Sequence, residues 1–94
     1  MSTVVLTVVD VFRIDERGTI VTGYRGGAWA NARRGTQIEL RAPSGQRIRT
    51  SIRDLEELHP CFTSDDRLYG GVLFEDKVAA DHAPSGTELV EVSQ

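Results

Sequence analysis

Few side chains in this 94-residue sequence have types and spacings that suit catalysis or metal binding. Cys61, the sole cysteine, lies two residues after His59, and His82 is the second histidine. No further Cys/His pair completes a zinc ligand set, and neither an orienting group nor an oxyanion loop accompanies a Cys61 nucleophile. The paired acids Glu56-Glu57 and Asp65-Asp66 are typical of solvated loop charge. We therefore predict a protein that is not an enzyme, with no catalytic residue, no metal and no cofactor.

Arginine is the residue type best placed for binding. Within a net charge of −3, residues 13–53 carry nine arginines against three acids, whereas residues 54–94 carry ten acids against two basic residues. This asymmetry indicates either a basic binding face or strands of opposite charge that pair with each other. Alternation over 47–53 and an outward position on the partner strand predict one exposed arginine stripe, comprising Arg41, Arg47, Arg49 and Arg53. RNA phosphates bound along that stripe would give salt-sensitive affinity.

Trp29 is the only tryptophan and follows a Gly-Gly pair in a loop of small residues and arginines. Two interpretations of it stay open. The indole could stack on a base or on a partner side chain, or it could pack over one end of the fold.

The elements that must position these side chains have a period of two, which is typical of β-strands. We expect six strands bounded by Gly- and Pro-containing turns, over residues 4–14, 19–24, 37–41, 47–53, 69–74 and 87–92. Residues 54–58 have the pattern of a single helical turn. Short strands with little helix predict an all-β fold, either a sandwich or, as we favour, a small closed antiparallel β-barrel. One domain would span residues 1–94, with its last few residues disordered.

The first strand carries an acid among apolar residues. Its alternation places Phe12 on the face that would fill the barrel, together with Ile20 of the next strand. Asp10 interrupts that face, so its carboxylate needs backbone N–H groups or an arginine as donors. Gly23 should admit a close neighbour, and the Gly70-Gly71 pair should mark a bulge or a close contact.

A longer pattern is more specific than periodicity, and it reads Asp10-Val11-Phe12-Arg13-Ile14-Asp15-Glu16-Arg17-Gly18-Thr19-Ile20-Val21-Thr22-Gly23. It resembles the first hairpin of the second domain of translational GTPases, the β-barrel that follows the G domain in elongation factor Tu. Residues 33–40, 71–74 and 85–90 resemble later strands of that domain in the same order. The resemblance implies the same barrel, with contacts to a G domain, to the aminoacyl end of tRNA or to ribosomal RNA. Asp10, Phe12 and Thr22 match residues that line the aminoacyl-end pocket.

The sequence also differs from the family pattern. Val9 stands where the family has an acid, Glu75 stands where an arginine usually follows the later strand, and the loop at 24–29 is unlike the usual one. No Gly-x-x-x-x-Gly-Lys-(Ser/Thr) phosphate loop occurs, so nucleotide hydrolysis is not expected. We expect either a free-standing barrel without the GTPase domain or a domain excised from a longer chain.

Two classes of function remain open, and both are binding functions. The leading hypothesis is a binding module that recognises a protein partner through a barrel face, and the alternative is an RNA- or tRNA-binding module that uses the arginine stripe. The candidate binding residues are Asp10, Phe12, Thr22, Trp29, Arg41, Arg47, Arg49 and Arg53. The lone cysteine, the lack of a basic leader and the lack of a long apolar run predict a cytoplasmic protein without a membrane partner.

Overall fold

The computed structural model describes residues 3–14, 18–58, 69–74 and 83–92. The strands are β1 (Val4–Ile14), β2 (Gly18–Arg25), β3 (Gln37–Arg41), β4 (Arg47–Leu58), β5 (Tyr69–Phe74) and β6 (Glu88–Glu91). A single 3-10 turn, Trp29–Asn31, is the only helical element in the described ranges. Accordingly, no helix in this part of the chain is long and apolar enough to cross a membrane.

The strands close into a barrel in the order β1-β2-β5-β4-β3-β6, with β6 returning to β1. Every pairing is antiparallel, and each strand is paired on both sides. The predicted all-β, closed, six-stranded antiparallel barrel is therefore confirmed. Closure gives each strand a neighbour on both sides, although β1 pairs with β6 only over residues 4–7 and β4 pairs with β3 only over residues 47–51.

Apolar side chains from all six strands fill the barrel interior, because alternate residues of each strand point inward except where the register shifts, as it does in β1 between Val4 and Leu6. The interior members of the core are Val5, Leu6, Val8, Val21, Ile38, Leu40, Ile52, Val72, Phe74 and Leu89. Burying each such side chain contributes about 1.5–3 kcal/mol, so the inward face of every strand is strongly specified.

A β-bulge interrupts the alternation of β1. Val8 is the Cα partner of Gly23, whereas Asp10 is the partner of Thr22, so Val9 is an extra residue that no β2 residue opposes. A bulge of this kind shifts the alternation by one residue, and residues after it face the side opposite to that predicted by simple counting. The tight approach of the strands here requires Gly23, as expected, since a Cβ would lie 1.8 Å from the Thr7 carbonyl oxygen.

The bulge corrects the expected positions of Phe12 and Ile20. Val11 packs against the core, and Phe12 is 51% exposed. Phe12 therefore does not fill the barrel. Ile20 is buried, but it is the Cα partner of Phe12 and so shares the outer face of the sheet. It is not part of the interior cluster.

Residues 54–58 form a strand rather than the expected helical turn. β4 continues past a register shift between Ile52 and Asp54, and its last residues pair with β5, for example Leu55 with Val72. Because the barrel closes only if β5 has a partner on this side, these ladder hydrogen bonds outweigh the local helical pattern.

Candidate binding surfaces

The outer face of the first hairpin brings together three of the predicted binding residues. We call Val9, Asp10, Phe12 and Thr22 the β1–β2 face. Asp10 and Thr22 are Cα partners, and the Thr22 hydroxyl donates to the Asp10 main-chain oxygen at 3.4 Å. Asp10 is exposed, and its Oδ1 accepts the Val11 N–H at 2.9 Å. Asp10 thus has the backbone donor that was expected of it, but in solvent rather than within an apolar layer.

The β1–β2 face carries exposed apolar side chains. Phe12 and Val9, at 51% and 41% exposure, are the exposed large hydrophobic side chains among the described residues. Phe12 lies in a cross-strand row with Ile20 and Leu73, both buried, on the outer side of the barrel. An exposed aromatic ring on a rigid sheet, continuous with buried apolar neighbours, is typical of a surface that contacts another molecule.

The outer face of β3 and β4 carries the predicted arginine stripe. We call Arg41, Arg47, Arg49 and Arg53 the arginine face, and all four are exposed. Arg41 and Arg47 are Cα partners across the two strands, which confirms that the stripe widens onto β3. In the barrel order these strands are separated from β1 and β2 by β5 on one side and β6 on the other. The arginine face and the β1–β2 face therefore point in different directions.

Glu39 lies at the centre of the arginine face and is almost buried by it. Arg41 Nε donates to Glu39 Oε1 at 2.8 Å, and Arg47 Nη1 lies 3.8 Å from the same oxygen. Arg49 Nε lies 3.6 Å from Oε2. The hydrogen bond from Arg41 is the largest cause of a lowered pKa at the Glu39 carboxyl; burial opposes it, and the charges of the three arginines add to it.

Glu39 is a member of this charged cluster that we did not predict. It alternates with Arg41 along β3 and is the Cα partner of Arg49, so a strict period of two would have placed it among the arginines. Arg34 was missed for another reason. Its Nε donates to the Arg53 main-chain oxygen at 3.0 Å, which adds a cation to that end of the arginine face from the preceding turn.

Trp29 belongs to neither face. It is partly buried, packs against the core, and covers Gly70 of β5 so closely that a Cβ there would lie 2.6 Å from Trp29 Cη2. The expected close contact at the Gly-Gly pair is therefore made by this ring. The structure thus shows the packing interpretation of Trp29, and stacking on a base or a partner side chain stays a prediction.

Beside Trp29 is a cleft of about 570 Å³, which we call the Arg25 cleft. Arg25, Trp29, Leu55 and Glu57 form its walls, together with small residues of the loop after β2. The Arg25 side chain is only 10% exposed, its Nε donates to the Tyr69 main-chain oxygen at 2.7 Å, and its Cζ lies 5.7 Å from the Trp29 ring centroid. Arg25 and Glu57 were not predicted as site residues because they meet only across non-adjacent strands.

His59, Cys61, Asp65-Asp66 and His82 lie outside the described residues. Within the described ranges, no three His, Cys, Asp or Glu side chains come close enough together to hold a metal ion.

Comparison of the chain with protein-family models, with curated proteins and with solved structures finds no match. The likeness to the second domain of elongation factor Tu accordingly stays a resemblance, carried by residues 10–23 and compatible with the closed six-stranded barrel.

Proposed function

We propose that this chain is a non-enzymatic binding module, similar to the second-domain barrel of translation factors, that recognises a protein partner through the β1–β2 face. The observation that carries the proposal is the half-exposed Phe12 ring on the same face of a closed barrel as the exposed Val9 side chain. The bulge at Val9 is what turns Phe12 outward, and bulges commonly serve to re-aim a side chain.

The composition of the β1–β2 face favours a protein over a nucleic acid. A Phe side chain buries about 150–250 Å² when fully covered, so covering the exposed half of Phe12 contributes about 2–3 kcal/mol. The Asp10 carboxylate and the Thr22 hydroxyl lie at the adjacent cross-strand position as polar groups, as is usual at the rim of a protein interface. The Asp10 charge would repel RNA phosphates, whereas a partner N–H or ammonium group would be attracted to it.

The resemblance supports the same assignment. Asp10, Phe12 and Thr22 occupy positions that line a binding pocket in the family, and there the barrel also contacts a G domain. A cytoplasmic location is part of the proposal and rests on the lone cysteine at position 61.

The test is affinity capture from a nuclease-treated lysate with three versions of the immobilised barrel: wild type, Phe12→Ser and Arg47→Gln. Arg47→Gln is the control because it alters another exposed residue, which lies on the arginine face. We expect a protein that wild type and Arg47→Gln retain and Phe12→Ser loses. Identical retention by wild type and Phe12→Ser would contradict the use of this face.

RNA binding along the arginine face is the second candidate, because four exposed arginines share one side of the barrel. It ranks lower because Glu39 already engages Arg41, Arg47 and Arg49. Titration with bulk tRNA, followed by backbone amide shifts, tests it. RNA binding predicts salt-sensitive shifts confined to residues 41–53, with a log–log slope of about 0.7–0.9 per contacted phosphate. The Glu39→Gln variant would bind more tightly, and an absence of shifts at low salt would refute the candidate.

A further inference from the structure

We propose that the Arg25 cleft binds the carboxylate of an organic anion whose apolar body lies against Trp29. The inference goes beyond the proposed function because it concerns a different surface. Arg25 lies five residues from Ile20, the cross-strand partner of Phe12, which places the cleft about 17 Å along β2 from the centre of the β1–β2 face.

The Arg25 guanidinium supplies the charge for this site. A guanidinium has five N–H donors, and here only Nε has a hydrogen-bond partner among the described residues, the Tyr69 main-chain oxygen. Nη1 lies 3.8 Å from Glu57 Oε1, which is beyond hydrogen-bond distance. A cation that is largely withdrawn from water and incompletely hydrogen-bonded is costly, and a carboxylate that accepts two parallel N–H bonds would relieve that cost.

The walls of the cleft suit an apolar body attached to that carboxylate. The Trp29 ring is held in place by its contact with Gly70, so the aromatic wall exists before any ligand arrives. Leu55 adds a partly buried aliphatic surface. The volume of about 570 Å³ falls within the range of about 300–1,000 Å³ that is typical of small-molecule sites.

The charges around the cleft favour a monoanion. Among the described residues that line the cleft, Arg25 is the only cation and Glu57 adds a carboxylate, and the whole chain carries a net charge of −3. Glu57 would repel a phosphate dianion. A single ligand carboxylate, in contrast, can take the place of the Glu57 carboxylate beside Arg25. Glu57 is 65% exposed and its ion pair with Arg25 is long, so this displacement is inexpensive.

The carboxylate could belong to a small molecule or to the C-terminus of a peptide, and one assay separates these sources. Trp29 is the only tryptophan in the chain, so its fluorescence reports on the cleft. The probes are cyclohexanecarboxylate, its uncharged carboxamide, and a short peptide ending in leucine with a free or an amidated C-terminus. We expect a saturable change with the carboxylates and none with the amides. Tighter binding of the small acid indicates a small-molecule ligand, and tighter binding of the free peptide indicates a peptide terminus; both support the site.

Two variants test whether Arg25 binds the carboxylate, and they should change the affinity in opposite directions. Arg25→Gln should weaken carboxylate binding at least about tenfold, since a hydrogen-bonded charge is lost. Glu57→Gln should tighten it about two- to fivefold, because a competing exposed carboxylate is removed. Arg47→Gln is the control for loss of a positive charge elsewhere and should bind like wild type.

Several results would overturn the inference. One is the absence of saturable change with either carboxylate at tens of millimolar; another is equal response to the amides. Because Arg25 also holds the Tyr69 main-chain oxygen, Arg25→Gln can lower stability, and Glu57→Gln supplies the independent test. Weaker or unchanged binding by Glu57→Gln would contradict the site. Phe12→Ser should bind carboxylates normally, so failure here and failure of the proposed function are distinguishable.

Discussion

Replacing Gly70 by alanine should displace the Trp29 ring. An added Cβ would lie 2.6 Å from Cη2, 2.8 Å from Cζ3 and 3.0 Å from Cζ2 of that ring, whereas ordinary contacts begin at 3.4 Å. The ring must therefore retreat by about 0.8 Å at its closest atom, which takes it away from β5. Overpacking of this size costs about 1–3 kcal/mol.

Two measurements report the displacement of Trp29 in Gly70→Ala. For a domain of this size, each 1 kcal/mol of lost stability lowers Tm by about 4–8 °C, so a clear fall in thermal midpoint is expected. The fluorescence of the single tryptophan should shift to longer wavelength as the indole gains contact with water.

The matched control for Gly70→Ala is Gly45→Ala. Gly45 has a φ of +95° with nothing within 4 Å of an added Cβ, so alanine there costs only about 1–2 kcal/mol of backbone strain. Its Tm should fall while its tryptophan emission stays that of wild type. An unchanged Tm and emission in Gly70→Ala would refute the placement of Trp29 over β5.

Three further substitutions test other parts of the structure. Gly23→Ala should abolish cooperative thermal unfolding, because its Cβ would meet the Thr7 carbonyl oxygen at 1.8 Å and only opening of the β1–β2 ladder relieves that; a folded variant by circular dichroism would argue against the pairing. Thr87→Val should raise the free energy of unfolding by about 1 kcal/mol, since the buried Thr87 hydroxyl has no partner in the described part of the chain. The urea midpoint should rise accordingly, and a lower midpoint would count against this. A lowered Glu39 pKa stabilises the fold above the ordinary value of 4.5, and the stabilisation is lost as pH falls through the folded pKa. Between pH 5 and pH 3, the free energy of unfolding should therefore fall less for Glu39→Gln than for wild type. Equal falls would contradict stabilisation of the Glu39 carboxylate by the arginines.

The strands and the arginine face were predictable because both depend on local alternation. A period of two between Gly- and Pro-containing turns located six strands, and the same period placed Arg47, Arg49 and Arg53 on one side of β4. When the sheet closes into a barrel, its edge strands gain pairing partners, but the same side of each strand faces inward.

The outward position of Phe12 was not predictable from alternation. An extra residue at Val9 reverses the sides on which Asp10, Val11 and Phe12 lie, and nothing in the residue types around it marks the bulge. The Arg25 cleft was missed because it assembles Arg25, Leu55 and Glu57 from β2 and β4, which are brought near each other only by the barrel order. Counting along one strand cannot reveal such a juxtaposition.

The central claim is that the bulge at Val9 presents Phe12, Asp10 and Thr22 together on the outside of the barrel. Paramagnetic relaxation by a soluble gadolinium chelate tests it directly, since the effect falls steeply with distance from solvent. The structure predicts strong broadening of the Phe12 ring protons and weak broadening of the Val11 methyl groups. Strong broadening of Val11 with a protected Phe12 would mean an unbulged strand, and the proposed binding face would not exist.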